Sequence, residues 1–350
     1  MITLFGATGY TGSLVARALD RDGLPFRIAG RSAAKLSVLS ADLSSRPATL
    51  VADMRRPDTL GSLYAGTRLL INCAGPFTDL GEPVVARAAA RGVHYLDITN
   101  ELAYVYRLRQ YDALARTTGA AIVPACGFEV AIADCVAAQL GADLPKPIDE
   151  IEVTYAWGTR GVSIGTRLSA ARTLATSWLA YRDGRYVTQA PGAATRQITI
   201  NNRIVCAIAF PSSEIVTLPS HLDVRNVTVW LAISRRVARL APIVVPALSG
   251  LMRTPLGGLA AQILKRGGPP PSAGQRAAGR FAIKVAARHG TETRSQTVTG
   301  RDPYGVTAEM ASHAARAMTT DGYSQSGVLA PSQAIDPDTF LEWLKARIGG

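Results

Sequence analysis

The chain has 350 residues, of which 47% are hydrophobic and 18% are charged. This composition excludes an intrinsically disordered protein and is sufficient for two domains, each with a buried core. Lysine and arginine outnumber aspartate and glutamate by 38 to 26. The formal net charge of +12 indicates an anionic ligand or an acidic partner, or serves solubility alone.

The cysteines show no metal-ligand spacing such as CxxC, and they are Cys73, Cys126, Cys135 and Cys206. We therefore expect neither a disulfide framework nor a metal site. A reduced, cytoplasmic setting fits best, and peripheral contact of the protein with a membrane is compatible with it. A glycine-rich segment begins at Gly6, so removal of a signal peptide would destroy it. We expect no leader peptide.

The N-terminal part alternates short apolar segments with helical patterns, as βα units of a parallel sheet do. Six strands are predicted, at residues 2–5, 26–29, 49–52, 69–73, 94–98 and 121–125. Right-handed crossovers between them give a doubly wound sheet. The fold class is therefore α/β, with a Rossmann-type domain over residues 1–128.

Beyond residue 145 strand-like segments follow one another with few helices between them. They are residues 151–157, 196–200, 203–210, 214–218, 227–233 and 280–288. This pattern predicts a second, α+β domain with a mixed or antiparallel sheet over residues 129–350, which would hold the substrate and form a homodimer. Helical spacing returns at residues 304–318 and 339–348, and these helices are expected to pack on either domain.

Residues 235–266 are apolar between basic flanks, and prolines and Arg253 interrupt them. Their charge-free run is shorter than the ~20 residues that span a bilayer, so no transmembrane helix is expected. The segment is interpreted as a buried helical pair, or as a lid or interfacial surface that holds a long acyl chain. Residues 267–274, GGPPPSAG, form the clearest flexible connection.

Three glycines separate the first predicted strand from the first predicted helix, at intervals of three residues. A strand, a glycine-rich turn and a helix N-terminus form a phosphate cradle in dinucleotide-binding proteins. The predicted cofactor-binding loop consists of Gly6, Ala7, Thr8, Gly9, Tyr10, Thr11 and Gly12.

The end of the second strand indicates which dinucleotide binds. NAD enzymes usually place a carboxylate there for the ribose 2′-hydroxyl, whereas this chain has Arg31 and Ser32, with Lys35 one turn later. A guanidinium that forks to a 2′-phosphate specifies NADP. The alternative is that Arg31 is merely a solvated surface residue.

Two further segments are predicted to face the cofactor. Asp53 follows the third strand, where its carboxylate either accepts from the adenine amino group or caps the helix that begins near Pro57. Small residues after the fourth strand let the backbone approach the nicotinamide half of the cofactor. They are Cys73, Ala74, Gly75 and Pro76.

Several motifs resemble, in order and spacing, the saccharopine dehydrogenase-like oxidoreductases, especially the branch of trans-acting enoyl reductases. They are GATGYTG, AGRSAAKL, residues 72–101, ACGFEVAIAD, and residues 158–166, 268–276, 302–310 and 327–335. One departure is Glu129-Val130-Ala131, where the family often has serine and proline. The resemblance implies an NADP-binding Rossmann domain joined to a mixed-sheet substrate domain.

Candidate catalytic residues stand at predicted strand ends, because ligands of such sheets bind there. Tyr95, Asp97 and Cys126 are the first choices. Thr99, Glu101, Ser163 and Thr166 are further donors. Structural alternatives are open for some of them and for His94. Residues 99–101 could cap a helix, Cys126 could be a packed side chain, and His94 is interpreted as a hydrogen-bonded structural histidine and not as an acid.

Three functions are compatible with these features. The first is an NADPH-dependent reductase of an enoyl or related group on a small-molecule, lipid-like or acyl-carrier-bound substrate. The second is an oxidoreductase of an amino-acid C–N bond, which would use Arg160, Arg167 and Arg172 for carboxylates. The third is a non-catalytic NADP-binding protein at a lipid surface. No nucleic-acid motif accompanies the positive charge.

Overall fold

The computed structural model describes residues 1–158, 162–176, 178–192, 194–254, 257 and 269–348. Within them the strands are β1 (Ile2–Phe5), β2 (Phe26–Gly30), β3 (Thr49–Val51), β4 (Leu69–Asn72), β5 (His94–Asp97), β6 (Ala121–Val123), β7 (Ile148–Gly158), β8 (Trp178–Arg182), β9 (Arg185–Gln189), β10 (Thr195–Ile200), β11 (Arg203–Ala209), β12 (Val224–Ile233), β13 (Arg280–His289), β14 (Glu292–Arg301) and β15 (Gly327–Val328).

The α-helices are α1 (Tyr10–Arg21), α2 (Ala33–Asp42), α3 (Phe77–Leu80), α4 (Glu82–Ala90), α5 (Leu102–Leu108), α6 (Asp112–Thr118), α7 (Phe128–Ala142), α8 (Ile164–Ala175), α9 (Glu214–His221), α10 (Arg235–Met252), α11 (Ala273–Ala278), α12 (Pro303–Thr319), α13 (Pro331–Ala334) and α14 (Pro337–Ile348). Short 3-10 helices occupy Pro57–Leu63 and Arg109–Tyr111. None of these helices is both long enough and apolar enough to cross a membrane.

The chain divides into two compact units. Unit 1 contains Met1–Asn100, Tyr104–Phe128 and Tyr304–Ile335, and unit 2 contains Glu101–Ala103, Glu129–Pro303 and Asp336–Gly350. The predicted division after residue 128 coincides with one of these boundaries. The predicted domain 129–350 is not continuous, however, because residues 304–335 return to unit 1.

Unit 1 contains a seven-stranded parallel sheet with the order β15-β6-β5-β4-β1-β2-β3. All six predicted strands are present, with ends that differ by at most two residues. The strand order reverses between β1 and β4, and Phe5 at the end of β1 pairs with Ala29 in β2 and with Asn72 in β4. The loops after β1, β2 and β4 therefore meet at one edge, where ligands of such sheets bind.

The core of this sheet is formed by strands that are buried on both faces. β1, β4, β5 and β6 consist entirely of buried residues, as expected for central parallel strands covered by helices. The seventh strand, β15, was not predicted, because two residues carry no periodic signal. It extends the sheet by pairing in parallel with β6.

Unit 2 contains an eight-stranded mixed sheet. Its main path is β10-β11-β12-β7-β13-β14, β8 pairs with β12, and β9 pairs with β8. β7 and β12 are parallel, and the other pairs are antiparallel. The predicted mixed sheet is thus confirmed, although β8, β9 and β14 were not anticipated.

One predicted strand of unit 2 is wrong. Residues 214–218, EIVTL, lie in α9 and not in a strand. Their β-branched side chains favour a strand locally, but a short apolar run does not distinguish a buried helix from a buried strand. Ile215, Val216 and Leu218 are buried in the helical conformation, and this burial outweighs the local preference.

Candidate cofactor-binding site

The turn between β1 and α1 requires glycine for two different reasons. Gly6 has φ +79°, and a Cβ added there would lie 2.6 Å from the amide nitrogen of Ala74. A Cβ added to Gly12 would lie 2.2 Å from the carbonyl oxygen of Gly6, so the helix could not pack on the strand. Gly9 is exposed and is the N-cap residue of α1. The missing side chains leave a cradle that fits a pyrophosphate at close approach.

Backbone hydrogen bonds show which part of the loop can donate to an anion. The amides of Gly6 and Ala7 both donate to the carbonyl of Ala29, at 2.9 and 3.2 Å, and the amide of Gly9 donates to Gly6 at 2.9 Å. Ala7 is predicted to bind the cofactor, but its amide is already hydrogen-bonded to Ala29, so it contributes to the shape of the loop. No side chain caps α1. The amides of its first turn are the ones that a phosphate would satisfy.

The predicted basic corner lies directly after β2. Ser32 is the N-cap of α2, and its hydroxyl accepts from the amide of Lys35 at 3.4 Å. Arg31 and Lys35 are both exposed. A cavity of about 340 Å³ beside Lys35 is lined by residues that include Thr8, Val38 and Asp42. The arrangement places two cations and an apolar wall next to the glycine loop, which suits a phosphorylated adenosine.

The turn after β4 is shaped by a buried amide side chain. Asn72 has no exposed surface, and its Oδ1 accepts from the amide of Ala74 at 2.9 Å. Gly75 is exposed, and Cys73, Ala74 and Pro76 are half-buried. These small residues leave accessible backbone at the edge of the sheet where the strand order reverses, as the sequence predicts for the nicotinamide half of the cofactor.

Two predicted catalytic residues belong to a buried hydrogen-bond network. The Tyr95 hydroxyl donates to Asp97 Oδ2 at 2.9 Å, accepts from Asn72 Nδ2 at 3.0 Å and lies 3.0 Å from the Tyr104 hydroxyl. The side chains of Tyr95, Asp97 and Tyr104 have no exposed surface. Burial raises the pKa of both phenols far above the usual value, so both stay neutral.

The Asp97 carboxylate also fixes the ends of the neighbouring strands. Its Oδ1 accepts from the amides of Thr99 at 3.1 Å and Ala125 at 2.9 Å, and the amide of Cys126 donates to the Asp97 carbonyl at 2.7 Å. Cys126 is 1% exposed. Burial of this kind does not favour the predicted catalytic role for Tyr95, Asp97 or Cys126. It favours a role in positioning the exits of β4, β5 and β6.

Burial makes Asp97 a source of pH-dependent stability. Loss of water raises its pKa from 3.8 to about 6, against the hydrogen bonds that lower it. The folded state therefore keeps the proton longer than the unfolded chain, so the stabilisation is complete below about pH 4 and is lost as the pH rises to about 6. We expect Asp97→Asn to remove this loss, which amounts to about 3 kcal/mol for a shift of about two pKa units.

The measurement is the free energy of unfolding of both proteins in urea at several pH values between 4 and 7. The exposed Asp58→Asn variant is the control and should follow the parent protein. Parallel curves for Asp97→Asn and the parent would contradict a buried, late-titrating carboxyl group.

Other predicted polar residues have structural partners. Asp53 Oδ1 accepts from the Arg55 amide at 3.0 Å, and this bond closes the turn that precedes the 3-10 helix at Pro57. His94 Nδ1 accepts from the Ala121 amide at 3.0 Å, and burial, with the nearby Arg68, lowers its pKa. The interpretation of His94 as a hydrogen-bonded structural histidine is confirmed.

The donors predicted in unit 2 also make local hydrogen bonds. Ser163 caps α8 by accepting from the Thr166 amide at 3.1 Å, and Glu101 accepts from the Ser169 hydroxyl at 2.8 Å. Of the three arginines predicted to bind carboxylates, Arg167 donates to the Val162 carbonyl at 3.2 Å, and Arg172 lies on α8. Arg160 lies outside the described residues.

Comparison with known proteins identifies the region that carries this loop. Residues 2–123 match the family of saccharopine dehydrogenase NADP binding domains. This match supports NADP as the cofactor.

Curated relatives match the same part of the chain. A saccharopine dehydrogenase-like oxidoreductase of Arabidopsis thaliana is 36% identical over 156 residues, 40% of this chain and 33% of the relative. A trans-acting enoyl reductase of Mycobacterium tuberculosis is 37% identical over 145 residues, 40% of this chain and 35% of the relative. The chain thus matches about a third of the length of these relatives.

The whole chain is similar in fold to a solved structure. Saccharopine dehydrogenase (L-Glu forming) from Saccharomyces cerevisiae aligns with a TM-score of 0.62 and 13% identity, over 99% of this chain and 97% of that one. At this identity the likeness shows the fold alone. It extends the resemblance beyond the NADP-binding domain to the mixed-sheet unit.

Unit 2 contains a buried carboxyl group that sequence reasoning missed. Glu214 at the start of α9 has no exposed surface, and it is hydrogen-bonded to Ser212. Within the part of the chain that the structure describes, its Oε1 has no hydrogen-bond partner. Burial is the largest cause that raises the pKa of Glu214 well above its usual value, and the negative charges of Glu129 and Asp134 raise it further. Sequence analysis missed this carboxyl group because residues 214–218 were predicted to form a strand.

We expect Glu214→Gln to stabilise the protein in neutral and alkaline solution. The folded state prefers the protonated acid, so stability is highest below the ordinary carboxyl pKa and falls as the pH rises toward the raised value. Glutamine keeps the size without the titration, and the gain at pH 8 should be at least about 1 kcal/mol. Urea unfolding at pH 4 and pH 8 measures it. The exposed Glu342→Gln variant is the control, and no gain at pH 8 would contradict the assignment.

Proposed function

We propose that the protein is an NADPH-dependent oxidoreductase that reduces an enoyl or related unsaturated group on an apolar, lipid-like or carrier-bound substrate. The observation that carries the proposal is the glycine cradle beside exposed Arg31 and Lys35, in a domain of the NADP-binding family. The named activity of the mycobacterial relatives supports the enoyl group as the acceptor.

The chain supplies binding and alignment in this proposal. NADPH, when bound, supplies a hydride. The first-turn amides of α1 bind the pyrophosphate, and Arg31 and Lys35 bind the 2′-phosphate. The backbone of Cys73–Pro76 gives the nicotinamide half a close approach to the sheet edge. Alignment of this kind is a large part of catalysis, because it removes the entropy cost of bringing the reactants together.

Proton transfer needs a group that reaches the substrate. Tyr95, Asp97 and Cys126 are buried, and Asp97 accepts on both oxygens. In the proposed reaction these residues hold the strand ends in place, and the proton that follows the hydride comes from water or from a residue outside this set. The buried network then acts as a support for the site and not as its acid.

The direct test measures NADPH consumption with enoyl thioesters of short and long chain length, both as free thioesters and on an acyl carrier protein. Saccharopine with NADP forms a separate arm, because a C–N oxidoreductase would respond there. Steady consumption with an enoyl thioester, lost in Arg31→Ala at limiting NADPH, supports the proposal. Turnover of saccharopine alone, or NADPH binding without turnover in any arm, would overturn it.

A further inference from the structure

Helix α10 carries its large aliphatic side chains on the outside. Six of them are between 39% and 73% exposed, namely Val237, Leu240, Ile243, Val244, Leu248 and Leu251. Most follow one another at intervals of three or four residues, so they lie along one side of the helix. The interpretation of residues 235–266 as a buried helical pair is therefore wrong for α10; residues 255, 256 and 258–266 lie outside the described residues.

The opposite side of α10 is attached to unit 2 through few side chains. Ala241, Ser249 and Met252 are its buried residues. The Ser249 hydroxyl donates to the Leu174 carbonyl at 2.6 Å, and the Arg253 guanidinium donates to the Thr176 carbonyl at 2.8 Å. A helix of a water-soluble protein usually buries its largest aliphatic residues. In α10 the large aliphatic side chains are exposed instead, so the outward face is suited to an apolar environment.

The charged residues in α10 and directly after it are all positive. Arg235, Arg236 and Arg239 are exposed in its first turns, and Arg253 follows its last residue. The sequence from residue 224 to residue 291 contains no aspartate or glutamate. Cations at a helix N-terminus are unfavourable for the helix dipole, so the three arginines do not serve the stability of α10. They indicate an external anion.

We propose that α10 is an interfacial helix that inserts its aliphatic face into the surface of an anionic phospholipid bilayer. The arginines would contact the phosphates of the headgroups while the aliphatic side chains enter the acyl boundary. The helix does not meet the requirements for a membrane span, which agrees with an orientation along the surface.

The charges disfavour a second copy of the chain as the occupant. Because both ends of α10 carry arginine, pairing of two such helices in either direction places like charges together. An acidic carrier protein would match the charges of the arginines. Contacts between charged residues would, however, leave the six exposed aliphatic side chains without an apolar partner. The inference goes beyond the proposed reduction and does not depend on it.

The test is co-sedimentation of the full chain with vesicles of phosphatidylcholine alone and with vesicles that contain an equal part of phosphatidylglycerol. We expect binding to the anionic vesicles and little to the neutral ones. Leu240→Ser with Ile243→Ser should reduce the affinity by at least about tenfold. Arg235→Gln, Arg236→Gln and Arg239→Gln together should reduce it on the order of 100-fold.

Matched control variants distinguish binding through α10 from nonspecific binding to vesicles. Ile204→Ser removes an aliphatic residue of similar exposure from β11, and Arg185→Gln with Arg203→Gln removes exposed charges from β9 and β11. These controls should bind as the parent does, and all variants should keep NADPH binding as evidence of folding. Absence of binding to either vesicle, or equal binding by the Leu240/Ile243 variant, would overturn the proposal. The proposal would also be overturned if the protein bound no vesicles and instead formed a dimer, or a complex with an acyl carrier protein, that the Leu240/Ile243 variant abolished.

Discussion

Replacing Gly12 with alanine is expected to abolish useful NADP binding. The new Cβ would lie 2.2 Å from the Gly6 carbonyl oxygen and 2.9 Å from its carbonyl carbon, and both are backbone atoms. They cannot yield easily, because the Gly6 amide is hydrogen-bonded to Ala29 at 2.9 Å. The loop must therefore move away from α1, and the amides proposed to bind the pyrophosphate lose their arrangement.

The expected loss of NADPH affinity is on the order of 100-fold, equivalent to about two charge-assisted hydrogen bonds. Overpacking should also lower the free energy of unfolding by about 1–3 kcal/mol. Calorimetric titration with NADPH and urea unfolding measure the two effects. Gly61→Ala is the matched control, since a Cβ there meets nothing within 4 Å. An unchanged affinity in Gly12→Ala would contradict the assignment of this turn to the cofactor.

Arg31→Ala should erase the preference for NADPH over NADH. Arg31 is exposed directly after β2, where NAD-specific domains have a carboxylate, and Lys35 is exposed one turn later. A guanidinium forks to a phosphate through charge-assisted hydrogen bonds, and NADH lacks that phosphate. The affinity for NADPH should fall roughly 100-fold, while that for NADH stays the same.

Dissociation constants for both nucleotides, measured by the quenching of intrinsic fluorescence, test this expectation without requiring turnover. Arg56→Ala removes an exposed arginine of the same unit and should change neither constant. If parent and Arg31→Ala bind both nucleotides equally, Arg31 is the solvated surface residue of the alternative interpretation.

The sheet of unit 1 was predictable because its signals are local. Each central strand is a short apolar run between helices, and parallel strands that are buried on both faces require such runs. The glycine spacing and the basic residues after β2 are also local, because a turn and a helix N-terminus involve consecutive residues. Thus the predicted NADP site could be derived from the order of residues along the chain.

The candidate acids could not be assessed in this way. Tyr95 and Asp97 were chosen because they end a strand, and that placement is correct. Tyr95 contacts the Tyr104 hydroxyl and Asp97 accepts from the Ala125 amide, and the sequence does not show which groups enclose a carboxylate. The helical state of residues 214–218 has the same origin, since packing overrode a local preference for a strand.

The sequence by itself determined the parallel sheet, the glycine turn and the position of the basic residues after β2, because these features arise from neighbouring residues. Only the tertiary structure decided that residues 304–335 return to unit 1, that Asp97 and Glu214 are buried, and that α10 turns its aliphatic side chains outward. These properties depend on which distant segments exclude water from a side chain. Exclusion of water is a result of the whole packing and is not encoded in any local pattern.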